Sequence, residues 1–332
     1  MIDEEFAPVS CTSEEMFYNH MESQSLESLP IIYQTVKPSE KSYWQTIGTA
    51  LDFIYSTGGE GKKLLDFGPG DGWPSLIVAP YAKEVIGIES SKKRVEVCTD
   101  NAKLLGISNA EFIHYPSSSK LPFDDETFDG VIASTSVEQS PDPKKTLIEF
   151  YRVLKPDGKV RLIFETLTRY RYNFKNDIFL FDKGSNNSRL VLYERDIQNE
   201  KCHHIGFTFS MPKPELIKAI AKEGDTLTYD MITIPALNSL KQSIIDVNKC
   251  TLTHPSGNTL VEWLMSCGFY DIKAVQCGGW FAGKLYSELP ESTKPKSKAD
   301  VESYLKPVIK VLTKMRAAFD DTVDNLHISA MK

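Results

Sequence analysis

"LLDFGPGDGW" occupies residues 64–73 and decides how the chain is read. An apolar run carrying Asp66 gives way to three glycines, Gly68, Gly70 and Gly72, at every second position. A short apolar run closed by glycines reads as a buried strand. Glycines just beyond it let the backbone come close to a ligand. Pro74 then falls in the first turn of an expected helix over 73–82, where a missing N–H costs nothing. A dinucleotide loop of the GxGxxG type needs a glycine at position 73. Trp73 stands there, which disfavours NAD.

Outward from this loop, short apolar runs alternate with amphipathic ones. Strands are expected at 63–67, 84–89, 110–116, 128–134 and 159–165, with helices at 90–106 and 143–154 between them. A helix at 38–59 precedes them, with Ser39 as its cap and Gly58–Gly59 as its stop. This alternation implies an α/β fold with a doubly wound, Rossmann-like sheet. Ligands of such sheets sit beyond the carboxyl ends of the strands, where free N–H groups of a following helix add anion-binding capacity.

After Thr166 the alternation fails. A hairpin ("IFLF", then "RLVLYERD"), a third strand in "HHIGFTFSM" and a helix at 214–224 suggest an inserted β-rich α+β lid. A helix at 256–269 and two strands, 270–277 and 279–289, are expected to finish the main sheet antiparallel. A polar linker and a long helix over 299–326, bent at Pro307, end the chain. The expected division is 1–61, an N-terminal helical lid; 62–166, the cofactor-binding core; 167–250, the inserted acceptor lid; 251–289, the end of the core sheet; and 290–332, linker and helix. The stripe Val301, Leu305, Val308, Leu312, Met315 and Phe319 fits packing within the chain or a homodimer contact, and both readings stay open.

The 332 residues carry a formal net charge of −7, which argues against a nucleic-acid partner. Six scattered cysteines without a CxxC pair indicate a reduced, cytoplasmic setting and no metal site. The start is acidic and lacks an apolar signal core. No apolar run approaches the roughly 20 residues of a membrane span, so no membrane partner is expected.

Glu89 closes the second expected strand, 19 residues after Gly70. A carboxylate there accepts hydrogen bonds from ribose hydroxyls, and Asp66 suits an ammonium. A ligand with a ribose and an ammonium, and no need for a phosphate clamp, fits S-adenosylmethionine.

Residues 62–165 with 256–289 resemble a class I S-adenosylmethionine-dependent methyltransferase, in its broad small-molecule group. The segments that carry the resemblance are "LLDFGPGDG", "VIGIE", "SSSKLPFDDETFDGVIASTSVEQSPDP" and "FYRVLKPDGKVRL". The resemblance implies that Gly68, Gly70 and Gly72 lie under the methionine part, that Asp66 supports its amino group, and that Glu89 holds the ribose. It places Ser117 where an adenine-binding Asp is common, Ser118 with a backbone N–H towards the ring, and Ser134 beside the methionine moiety. Gln139 stands where a histidine is frequent.

For catalysis the candidates are Glu138 on the acceptor side, Tyr172 at the mouth of the site and His20 in a lid. The implied activity is methyl transfer to a small organic acceptor. Two alternatives stand beside it: a non-catalytic S-adenosylmethionine-binding protein and another transferase using the same cofactor. "KCHH" (201–204) does not make a metal site, because successive strand side chains alternate between faces.

Overall fold

Helix and strand follow each other from the first glycine loop onward much as the apolar pattern requires. The computed structural model describes residues 2–13, 15–16, 37–116, 120–167, 176–184, 186–221, 225–318 and 325–332. A short helix α1 (Ile2–Phe6) and strand β1 (Val9–Ser10) precede α2 (Lys41–Thr57). Then come β2 (Lys63–Phe67), α3 (Ser75–Val78), β3 (Glu84–Glu89), α4 (Lys92–Leu105), β4 (Ala110–His114), β5 (Phe128–Ser134), α5 (Pro143–Val153) and β6 (Leu154–Glu165). Helix α2 is entered through Glu40 without a side-chain cap, not through Ser39, and Gly58 closes it in the left-handed conformation. Pro80 cuts the expected helix 73–82 to one turn of α3 and a 3₁₀ turn, Ala79–Tyr81.

Beyond β6, a second sheet forms from β7 (Asn176–Gly184), β8 (Asn187–Asp196) and β9 (Lys201–Phe209). Helices α6 (Lys213–Ile220) and α7 (Ile234–Ser239) follow, and β10 (Ile244–Thr253) returns to the sheet. Its order is β1–β10–β9–β8–β7. Strand β10 was not expected from the sequence. Nor was the pairing of Val9–Ser10 with Asn248–Lys249, which joins the N-terminal segment to the inserted region.

The chain then forms α8 (Gly257–Cys267), β11 (Tyr270–Ala274), α9 (Gly278–Glu288), α10 (Lys298–Leu312) and β12 (Asn325–Met331). Two expectations are corrected here. The segment 279–289, expected as a strand, is helical through Glu288 as part of α9. The glycines read as a hairpin turn instead let α9 lie against α2: a Cβ on Gly48 would sit 2.5 Å from the Gly278 carbonyl oxygen. The antiparallel strand of the main sheet is β12, at the C-terminus, where the sequence reading extended a helix to residue 326. Strand β12 runs antiparallel to both β11 and β6, giving the seven-stranded order β11–β12–β6–β5–β2–β3–β4.

The main sheet is packed on both faces. Leu147, Phe150 and Val153 of α5, with Leu260 and Leu264 of α8, cover one face. Ala50, Phe53 and Ile54 of α2 cover Leu64, Val85 and Ile132 on the other. Val301, Leu305, Ile309 and Leu312 of α10 are buried against Trp44 and Leu51 of α2, so much of this helix's apolar stripe is covered within the chain. The stripe centres on Ile309, not Val308. Met315 is exposed, and Phe319 lies outside the described residues.

A buried ion pair fixes these layers to each other. Asp52 of α2 meets Arg161 of β6 at 2.7 and 3.1 Å and also accepts from the Gly278 N–H of α9. Burial opposes charge on Asp52, but the Arg161 guanidinium outweighs it and holds the carboxyl below its usual value.

Candidate functional site

Strand β2 pairs in parallel with β5 on one side and β3 on the other, so the strand order turns about it. The carboxyl ends of these strands therefore bound a crevice at the switch point of the sheet. Phe67 and Gly68 end β2, Ile88 and Glu89 end β3, and Ser136 and Gln139 follow β5; together they line a cleft there.

The glycine loop is held by its neighbours. Gly68 has φ +70°, and a Cβ on it would fall 2.7 Å from the Ser136 side chain. Gly70 has φ +63°, a left-handed conformation that a β-branched residue resists. The Gly70 N–H donates to Glu89 Oε2 at 2.9 Å. Oε1 of Glu89 accepts from the Ser91 N–H at 3.2 Å and the Ser90 hydroxyl at 3.3 Å. Glu89 is 3% exposed, and Oε2, with one donor, keeps lone-pair capacity for another.

Asp66 lies deeper than its position suggested. It is fully buried, and Oδ2 accepts from the Ser75 N–H at 2.9 Å and the Ser75 hydroxyl at 2.6 Å. That bracing spans the loop and uses the N–H that begins α3. Among the described residues Oδ1 has no partner, and burial pushes the carboxyl up to about 7. Gly72 packs against Leu76, and Ser134 ends β5 beside the cleft residues. The structure therefore brings Gly68, Gly70 and Glu89 together. Asp66 and Gly72 support the loop from behind. Ser117, Ser118, Tyr172 and His20 lie outside the described residues.

Glu138 is fully buried just past β5. Oε1 accepts from the Glu165 N–H at 2.9 Å, at the end of β6, and Oε2 has no partner among the described residues. Burial pushes its carboxyl up to about 8, so it is protonated at neutral pH and able to donate. Also set against the end of β6 is a residue the sequence did not disclose, His254. Its ring packs against Phe164 at 5.5 Å, Nδ1 has no partner among the described residues, and burial pulls it down to about 4, leaving a neutral imidazole. No spacing motif marks His254, because it reaches β6 only through the return of β10.

In "KCHH" the strand alternation holds. Cys202 Sγ and His204 Nε2 lie 3.1 Å apart on the buried face, while His203 meets Thr251 on the other. Among the described residues no group of three side chains could hold a metal ion.

Size does not identify the site. The cleft has room for about 40 Å³ of water-sized groups, whereas cavities of about 380 and 370 Å³ by the same measure lie elsewhere. One is at the opposite end of the main sheet and one at the edge of the second sheet. Neither touches the ends of β2, β3 or β5, where the carboxylate and glycine backbone converge.

The "LPF" and "RVLKP" segments have a structural task. Arg152 of α5 donates to the carbonyls of Leu121 and Phe123 at 3.1 and 2.8 Å and pairs with Glu149 and Asp125. This ties the loop before β5 to the helix after it.

Comparison with known proteins agrees with this geometry. A family model described as a methyltransferase domain matches residues 65–162. An uncharacterized methyltransferase, YcgJ of Bacillus subtilis (strain 168), is 35% identical over 101 residues, covering 30% of this chain and 40% of the relative. A demethylmenaquinone methyltransferase of Clavibacter sepedonicus is 35% identical over 100 residues, again 30% and 40%. The chain thus matches about 40% of the length of these curated relatives. The solved CcbJ methyltransferase from Streptomyces caelestis shares the fold at TM-score 0.50 and 11% identity, covering 97% of both chains. Residues 65–162, at the centre of the seven-stranded sheet, thus match a methyltransferase domain, and the fold around them is shared with a solved methyltransferase.

Proposed function

We propose that this chain transfers a methyl group from S-adenosylmethionine to a small organic acceptor. The observation that carries the reading is the pairing of Glu89 with the Gly70 N–H at the switch point of the sheet. It presets a carboxylate for ribose hydroxyls beside a glycine loop that a Cβ would obstruct. The residues fit the cofactor's chemistry: Glu89 for the ribose, and the backbone from Gly68 to Gly72 for the amino-acid part. Because the cleft is narrow, its two sides have to part to admit a nucleoside.

When bound, the cofactor supplies an electrophilic methyl group on a sulfonium. The chain's own residues then position the acceptor and exclude water. Glu138 and His254 suit the acceptor side. A protonated carboxyl donates to an acceptor oxygen, and a neutral imidazole takes a proton where the acceptor has one to lose. An acceptor without net charge suits this pair. The demethylmenaquinone methyltransferase and a sterol 4-C-methyltransferase of Caenorhabditis elegans, 30% identical over 117 residues, point the same way. Among the described residues no helix is long and apolar enough to cross a membrane.

The test is methyl transfer from labelled S-adenosylmethionine to a panel of quinols, phenols and hydroxylated polycycles. Label should move to at least one neutral acceptor, and Glu89→Ala should abolish most of it. Cofactor binding with transfer to none of them would favour a non-catalytic binding protein.

A further inference from the structure

The second sheet holds a feature that methyl transfer does not use. Arg189 of β8 is only 3% exposed, yet it lines a cavity of about 370 Å³ at the sheet's edge. Its guanidinium is built into place. Nη1 donates to Thr208 Oγ1 at 2.9 Å, Asn248 Oδ1 at 3.1 Å and Asp246 Oδ1 at 3.2 Å, on β9 and β10. Gly206 leaves it room: a Cβ there would fall 2.5 Å from Nη2.

The other edge of the guanidinium is different. Among the described residues Nε has no hydrogen-bond partner, and Nη2 has only the thioether of Met16, at 3.2 Å. The Nε–Nη2 edge is one of the forks that hold a carboxylate through two parallel hydrogen bonds. Leaving it without an oxygen acceptor is costly for a buried cation. Met16 is the residue that must give way, and its unbranched side chain adapts easily.

A second cation stands at the cavity. Lys183 of β7 lines it as well. Burial lowers the Lys183 ammonium from its usual value, and the charge of Arg189 lowers it further. Asp246 is the partly exposed counter-charge, in an ion pair with Arg189 at 3.2 Å. Glu15 also lines the cavity, but it is exposed and its carboxylate accepts from the Thr12 N–H and hydroxyl. Lys183 and Arg189 thus face Asp246, with Glu15 as a second carboxylate on the exposed side of the cavity. Ser10 and Asn248 add polar contacts, and Val9 gives an apolar wall.

We infer that this cavity binds a small organic monocarboxylate, with Arg189 as its bidentate partner and Lys183 as its second cation.

The experiment titrates the full chain with benzoate and with benzamide, its uncharged counterpart, by calorimetry. Benzoate should bind saturably, more weakly at high salt, and benzamide should not bind. Lys183→Met leaves the Arg189 network intact and should weaken benzoate at least several-fold without changing the thermal midpoint. Arg189→Lys keeps the charge, removes the fork and should weaken it tenfold or more. Asp246→Asn, which frees Arg189 from its counter-charge, should tighten it. No benzoate binding, equal binding of benzamide, or affinity unchanged in a folded Lys183→Met protein would overturn the inference. So would preferential binding of inorganic phosphate.

Discussion

Single residues in this molecule differ in how far the sequence disclosed them. The place of Glu89 was legible: it is the last residue of the strand beside the glycine loop, and it accepts from that loop's Gly70 N–H. Asp66 was legible as a strand-end carboxylate but not as a brace, since its partner, Ser75, is fixed by how the loop folds back. Glu138 leads to a prediction about pH. Burial raises its folded-state pKa to about 8 from an ordinary 4.5, so the folded protein holds that proton more tightly than the unfolded chain. Stability is therefore lost as pH rises from about 4.5 towards 8, and Asp66, pushed to about 7, acts in the same direction. Urea unfolding between pH 5 and 8 should show this fall. Glu138→Gln should flatten it, by at most about 1.4 kcal/mol per pH unit. A slope unchanged in the variant would mean that Glu138 ionises normally. His254 was invisible beforehand because only the tertiary return of β10 sets it against Phe164.

At the scale of elements, the parallel strands and their helices followed from period and punctuation, and the chain's ends did not. Segment 279–289 is apolar and begins with glycines, which suits a hairpin strand equally well. Contact with α2 decides for a helix, through a glycine seam that no local rule reveals. Strand β12 was missed because helical spacing ran on towards it. The Asp52–Arg161 pair joins α2, β6 and α9 at their buried centre. Asp52→Asn leaves a buried guanidinium without its counter-charge and should destabilise the fold by roughly 3–5 kcal/mol in equilibrium unfolding. A loss below about 1 kcal/mol would show that water or His327 compensates. Gly70→Val should leave the circular dichroism spectrum unchanged while cofactor affinity falls tenfold or more. Its left-handed φ, more than crowding, is the obstacle: the closest atom to a Cβ there, Arg94 Nη1, is at an ordinary 3.4 Å. Normal binding by this variant would place the cofactor away from the loop.

Across the whole molecule, two sheets meet where the strand ends of the first face the second. Ser13 donates to the Gln139 carbonyl at 3.3 Å, so the N-terminal segment that edges the second sheet also touches the cleft. The sequence showed that a β-rich insertion follows β6. It did not show that residues 9–10 join that sheet, because a two-residue parallel pairing leaves no periodic trace. A net charge of −7 predicts no retention on duplex DNA at 150 mM salt in a filter-binding assay.

The central claim is that Glu89 and the glycine loop form the cofactor site. Calorimetric titration of S-adenosylmethionine into the wild-type chain and Glu89→Ala tests it most directly, with circular dichroism to show that both are folded. The account predicts saturable one-to-one binding to the wild type. It predicts a loss of about 1.5–3 kcal/mol in the variant, as expected when charge-assisted hydrogen bonds are removed. Equal affinity in two folded proteins, or no binding to the wild type, would contradict it.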